Sequence, residues 1–175
     1  MHRHTKLSPK KDTELKIISI APVRGRVLDS CCGLGYTAIL AASRADEVFT
    51  FEKDENVLRM AKYNPYSEEL FSSKKIKLKK GSIAEQIHGF PDSFFDRIIH
   101  DPPTFKHSPE LYSEKFYREL FRVLRKGGRI YHYCPSPGKT KGKSFFPRII
   151  RGLKSAGFDK VRYAQQSSGV LAGKS

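Results

Sequence analysis

The stretch that decides the fold reads Val27-Leu28-Asp29-Ser30-Cys31-Cys32-Gly33-Leu34-Gly35-Tyr36-Thr37. Its first part, Arg26 to Asp29, is a short apolar run between Gly25 and a glycine-containing loop, the pattern of a buried strand. Its last part opens an alanine-rich segment, Tyr36 to Ser43, that reads as a helix. Between them, Gly33 and Gly35 let a ligand approach the backbone closely and present it to a helix N-terminus.

Outward from this unit, Glu47 to Glu52 reads as a second strand, and its closing acid lies 23 residues after Asp29. A carboxylate at the tip of that strand suits a ribose, because it accepts hydrogen bonds from both hydroxyls. A third glycine at the dinucleotide-binding offset is missing, and so is a lysine of the phosphate-loop type. The expected ligand is therefore a nucleoside with a positive or zwitterionic tail.

The remaining chain continues the alternation. Lys11 to Ile20 reads as a helix ending before Pro22. Asp54 to Tyr63 reads as a helix capped by Asp54 and stopped at Asn64-Pro65. Ile76 to Lys79 is a third strand, Ser82 to His88 a short helix capped by Ser82, and Phe95 to His100 a fourth strand. Ser113 to Leu124 is an amphipathic helix with Phe116, Leu120, Phe121 and Leu124 on one stripe, and Gly127-Gly128 is read as its end. Arg129 to Tyr133, Phe158 to Ala164 and Val170-Leu171 complete the strands, with a helix over Phe146 to Ser155. Strands alternating with helices imply crossover units, hence an α/β fold with an open, mainly parallel, seven-stranded sheet flanked by helices.

At 175 residues the chain accommodates one domain, read as an N-terminal arm and helix over 1–20 leading into a body over 21–175. There is no apolar run of the roughly 18 residues that a membrane span needs, and the polar start Met1-His2-Arg3-His4-Thr5-Lys6 lacks a secretory pattern. Cytoplasm is the expected location. Three cysteines, two of them adjacent, make neither a disulfide framework nor a zinc site, so no metal is expected. Charge is lopsided, with 33 Lys and Arg against 18 acids and a formal net charge of +15. From Phe121 onward there are thirteen basic residues and a single acid, Asp159. Stability-driven charge enrichment raises both signs together, so a one-sided excess points to a polyphosphate partner such as RNA. Lys139, Lys141 and Lys143 are the loop cations placed to meet phosphates.

In its glycine loop and second-strand acid, the sequence resembles class I S-adenosylmethionine-dependent methyltransferases over most of its length. The resemblance implies their Rossmann-like fold and S-adenosylmethionine as cofactor. By position, Asp29 with Gly33 and Gly35 would hold the methionine part, Glu52 the ribose, and the turn Gly81-Ser82-Ile83 the adenine, with Ile83 packing on the ring; Cys31, Tyr36 and Lys53 are further cofactor-binding candidates. Cys31 stands where the family's first glycine is usual, and Ser82 where it often has Asp.

Past the fourth strand, Asp101-Pro102-Pro103-Thr104-Phe105 resembles the Asp/Asn-Pro-Pro-aromatic motif of methyltransferases that modify exocyclic amino groups of nucleobases. The chemistry has a physical reason. An aromatic amine is a poor nucleophile because its lone pair is delocalised into the ring. A carboxylate (Asp101) and the Pro102 carbonyl can accept its two N–H bonds and favour a pyramidal nitrogen whose lone pair faces the sulfonium methyl. Asp101 thus borders both cofactor and substrate, and Phe105 would stack on the base, although Thr104 occupies the aromatic slot. Pro103 and Tyr112 are read as lining the substrate mouth, with an ordinary half-buried tyrosine as the competing reading of Tyr112. His100 is read as a satisfied strand-end histidine or as a proton-steering group, and Arg3 and Lys6 as a closing arm or an unstructured tail.

More narrowly, Leu34-Gly35-Tyr36-Thr37-Ala38-Ile39, the Asp-Pro-Pro turn and Glu110-Leu111-Tyr112-Ser113-Glu114 look like a group of predicted archaeal methyltransferases that carry additional sequence ahead of the matching part. That resemblance suggests an RNA substrate, with the cytosine amino group of ribosomal RNA leading, and a separate target-recognition element missing here. The rivals are a small-molecule amine methyltransferase, a non-catalytic cofactor-binding RNA module, and an aminopropyl transferase, to whose cationic substrates a +15 surface is unsuited. The sequence leaves the oligomeric state open.

Overall fold

The computed structural model describes residues 7–134 and 145–175. One seven-stranded sheet organises the chain, in the order β3-β2-β1-β4-β5-β7-β6. Its strands are β1 (Arg26–Asp29), β2 (Glu47–Glu52), β3 (Ile76–Lys80), β4 (Phe95–His100), β5 (Leu124–Tyr133), β6 (Asp159–Ala164) and β7 (Gly169–Gly173). β1 to β5 run parallel, and β7 inserts antiparallel between β5 and β6. The crossovers carry α1 (Pro9–Ser19) into β1, then α2 (Tyr36–Ala42), α3 (Glu55–Tyr63), α4 (Glu68–Ser72), α5 (Ile83–Gln86), α6 (Glu114–Val123) and α7 (Phe145–Ser155).

Alternation along the central strands divides the core in two, since successive strand side chains face opposite ways. Leu28, Ile98, Ile130 and Val170 face one side with Phe95, Phe116, Leu120 and Leu153. Val27, Ile99, Tyr131 and Leu171 face the other with Ile17, Ala38 and Ala41. The N-terminal helix is thus part of the main body. Arg97 of β4 fastens its end, donating from Nε to the Ile20 carbonyl at 2.8 Å.

Two features depart from the sequence reading. The helix expected to run to Leu124 and stop at Gly127-Gly128 ends at Val123, and those glycines lie inside β5. They serve a strand irregularity. Register shifts between Phe95 and Arg97, Gly127 is left-handed at φ +72°, and its N–H donates to the Lys174 carbonyl. Unforeseen too was the segment after α3, a 3-10 turn over Pro65–Ser67 running into α4. It explains Gly35, which is left-handed at φ +84° and where a Cβ would stand 2.7 Å from Leu70 of α4.

Candidate active site

A cavity of about 750 Å³ opens over the C-terminal ends of β1, β2 and β4. It sits where the chain turns from β1 toward β2 but from β4 toward β5, the switch point at which open α/β sheets bind ligands. The size suits a cofactor-sized molecule.

Glu52, on the cavity wall, is held by two backbone amides. Its Oε2 accepts the Gly33 N–H and its Oε1 the Asp54 N–H, both at 2.9 Å. The left-handed turn at Gly33, φ +56°, aims that amide at the carboxylate. A carboxylate has about four acceptor positions, so two anchors leave capacity for a ligand. Ile83 closes a neighbouring wall and is held there because Ser82 caps α5, its Oγ accepting the Ala84 N–H at 3.2 Å. Cys31, Gly33, Tyr36, Lys53 and Ser82 also line the cavity. Tyr36 is steadied by Asn64, whose Nδ2 donates to its hydroxyl at 2.8 Å. Lys53 reaches across to the segment after β4, donating to Ser108 Oγ at 3.2 Å and lying 3.7 Å from Glu110.

Asp29 and Gly35 are absent from the wall. Asp29 is fully buried behind it, with Thr37 donating to Oδ1 at 3.2 Å and Thr50 to Oδ2 at 2.8 Å. It braces the loop between β1, α2 and β2. Burial pushes its carboxyl up to about 7, against the pull of the two threonine hydroxyls. The unfolded chain ionises this group near 4, so the folded state binds its proton more tightly and loses stability as pH rises from there through 7. Asp29→Asn carries no such penalty. The stability of this variant relative to the parent should therefore be about 3 kcal/mol more favourable at pH 8 than at pH 5. Urea unfolding of both proteins at both pH values measures this, and an equal difference at the two would refute the titration.

Asp101 stands on the cavity wall, and a residue that carried no site role in the sequence reading governs it. Lys16 of α1 places Nζ 2.7 Å from Asp101 Oδ2 and 2.7 Å from Asp12 Oδ2, with 7% of its side chain exposed. The Tyr133 ring lies 5.7 Å beneath the same ammonium. Burial alone would pull Lys16 down, but Asp101 and Asp12 together outweigh it and hold the group above the ordinary lysine value. Asp12 and Lys16 are four apart on one helix, a pairing visible in sequence, but nothing local indicates that they face a residue 85 positions away.

Pro103, Thr104 and His107 continue the wall, the last two joined at 2.7 Å. Pro102 and Phe105, expected at the reacting centre, and Tyr112, expected at the substrate mouth, are not among the residues that line the cavity. Pro102 is buried off the wall. Phe105 lies under the Arg148 guanidinium at 4.2 Å and edge-on to Tyr112 at 5.8 Å. Tyr112 donates its hydroxyl to the Pro103 carbonyl at 2.7 Å, holding the diproline turn. His100 is satisfied in the core: Nε2 donates to the Leu111 carbonyl at 3.0 Å, so Nδ1 accepts from Ser30 at 2.7 Å. Burial and the neighbouring His132 keep it well below the usual histidine range. Arg3, Lys6, Lys139, Lys141 and Lys143 lie outside the described residues. Among the described residues no cluster of His, Cys, Asp or Glu could hold a metal ion, and no helix is long and apolar enough to cross a membrane.

The methyltransferase domain family matches residues 27–128, from β1 into β5. The chain belongs to that family. Its fold is that of class I methyltransferases, with the antiparallel β6–β7 hairpin at one edge, and the family's cofactor is S-adenosylmethionine. An uncharacterized protein of Methanocaldococcus jannaschii is 47% identical over 99% of this methyltransferase domain and 61% of its own length. The chain thus spans about three fifths of that relative. A methyltransferase structure from Archaeoglobus fulgidus, described as S-adenosylmethionine-dependent, superimposes with a TM-score of 0.68 at 18% identity, covering 87% of this chain and 69% of that one. Spermidine synthase from Thermotoga maritima gives a TM-score of 0.70 at 19% identity, covering 99% and 60%. At those identities the two structures share the fold.

Proposed function

We propose that this methyltransferase domain transfers a methyl group from S-adenosylmethionine to an exocyclic amino nitrogen of a nucleobase in RNA, with cytosine in ribosomal RNA the first base to test. The observation that carries the reading is Asp101 on the cavity wall, at the head of a diproline turn whose carbonyl at Pro103 is pinned by Tyr112. The cavity also fits the cofactor. Glu52 retains acceptor positions for ribose hydroxyls, Ile83 offers an apolar surface to adenine, and the Cys31–Gly33 backbone borders the remaining space.

S-adenosylmethionine, when bound, supplies an electrophilic methyl on a positively charged sulfur. The work left to the protein is alignment. Asp101 accepts an N–H of the incoming amine, which turns the nitrogen lone pair toward the methyl. The cofactor's sulfur would keep the electron pair of the carbon–sulfur bond as the methyl passes to nitrogen, so no residue of the chain has to take up a leaving group. The methylated nitrogen sheds its extra proton to Asp101, whose side chain is 17% exposed and returns the proton to solvent. Pro102 and Phe105 serve this centre from behind, by fixing the turn. Exposed Lys106, next in sequence to the wall residue His107, and exposed Arg148, over Phe105, offer a phosphate backbone local cations, in keeping with the net charge of +15.

A small-molecule amine is the second reading, favoured by the fold likeness to spermidine synthase. The two separate cleanly. Labelled S-adenosylmethionine is supplied with total RNA and, in parallel, with a pool of low-molecular-weight amines. Label recovered as an N-methylated nucleoside after RNA digestion is the expected result. Label confined to the amine pool transfers the assignment to the second reading.

A further inference from the structure

Asp12, Asp101 and Tyr133 converge on one point in the cavity floor. Two carboxylate oxygens stand 2.7 Å from it, and an aromatic face lies 5.7 Å away. Carboxylates in charge-assisted contact with an aromatic ring below is the environment that recognises an ammonium ion. The ion at that point is the chain's own, the Nζ of Lys16.

We propose that Lys16 is a specificity-determining residue: its ammonium fills, from within the chain, a site that would otherwise hold the ammonium of a small alkylamine, and so confines the methyl acceptor to a neutral amine. A cationic amine must either displace a buried, doubly paired lysine or sit beside it against like charge. A nucleobase amino group is uncharged at neutral pH and needs acceptors, not a counter-ion. Lys16 is not itself the acceptor. Its raised pKa keeps it protonated, and a protonated nitrogen has no lone pair to attack with. The catalytic meaning of this inference rests on the proposed amine acceptor, whereas the binding site does not.

The test uses n-propylamine, which replaces the atoms that Lys16→Ala removes. Added propylammonium chloride should raise the melting temperature of the variant in a saturable way, while 1-propanol and sodium chloride at equal concentration do not, and the parent protein shows no saturable response. A variant indifferent to propylammonium, or equally responsive to propanol, overturns the inference. Lys16→Ala leaves two carboxylates facing each other, so the double variant Lys16→Ala, Asp12→Asn, which relieves that repulsion, provides a second route if the first does not fold. It should still show a saturable shift with propylammonium alone, and lack of one is equally decisive. Melting requires neither acceptor nor cofactor. A shift without RNA methylation therefore sinks only the proposed function, and RNA methylation without a shift sinks only the role given to Lys16.

Discussion

Asp101→Asn is expected to slow methyl transfer by about 10²–10³-fold, the range seen when one group aimed at developing transition-state charge is removed, while cofactor affinity changes by less than about threefold. The asymmetry follows from where the side chain acts. Charge develops on the acceptor nitrogen as the new bond forms, and a carboxylate beside that nitrogen stabilises the rising positive charge and the shared N–H. Asparagine keeps the shape and one acceptor oxygen but loses the charge, and its amide can present N–H groups to an amine that needs acceptors. Lys16 retains Asp12 as a partner at 2.7 Å, so the ion pair beneath the site is thinned but not abolished. Single-turnover transfer and calorimetric titration with S-adenosylmethionine separate the two quantities. Transfer within threefold of the parent would remove Asp101 from the reacting centre, and a matching loss of cofactor affinity would reassign it to cofactor binding.

The parts of the fold legible in the sequence are those whose signal is local. Glu47 to Glu52 and Phe95 to His100 match their strands because each carries β-branched or aromatic residues (Val48, Phe49, Thr50 and Phe51; Phe95, Ile98 and Ile99) within a short segment that is half or wholly buried in the sheet. Ser113 and Asp54 are caps in the structure as in the sequence, because an N-cap needs only one side-chain oxygen and the amides just beyond it. Gly127-Gly128 misled because a glycine pair has the same backbone freedom in a helix stop as in a strand irregularity, and the choice was made by pairing with β4. The site divides the same way. Glu52 and Ile83 lie on the wall, as their places at strand and helix ends imply. Phe105 does not, since a motif specifies residue types but not which way a loop turns after its second proline. Lys16 is invisible as a site residue because its contact with Asp101 depends on where α1 packs relative to the end of β4, which no periodicity encodes, and the local Asp12 pair alone reads as an ordinary helix ion pair.

Glu52→Ala should weaken binding of S-adenosylmethionine by about 100-fold or more. Two hydrogen bonds from ribose hydroxyls to a charged acceptor contribute about 1.5–3 kcal/mol each, and each 1.4 kcal/mol is a factor of ten in the dissociation constant. Glu52→Gln is not a mild version of this change. Both oxygens of the native carboxylate accept backbone N–H groups, from Gly33 and Asp54, and an amide nitrogen can accept neither, so one anchor of the glycine loop must break whichever way the side chain turns. Glutamine should therefore fall much closer to alanine than to the parent. A loosened loop alone would also lower affinity, and a cofactor analogue lacking the ribose 2′-hydroxyl distinguishes the two causes. If Glu52 binds the ribose, the parent protein loses roughly tenfold or more on the deoxy analogue, while Glu52→Ala binds both forms equally. If the variant still discriminates against the deoxy form as the parent does, the hydroxyl has another partner, and Glu52 serves only to hold the Gly33 turn in place.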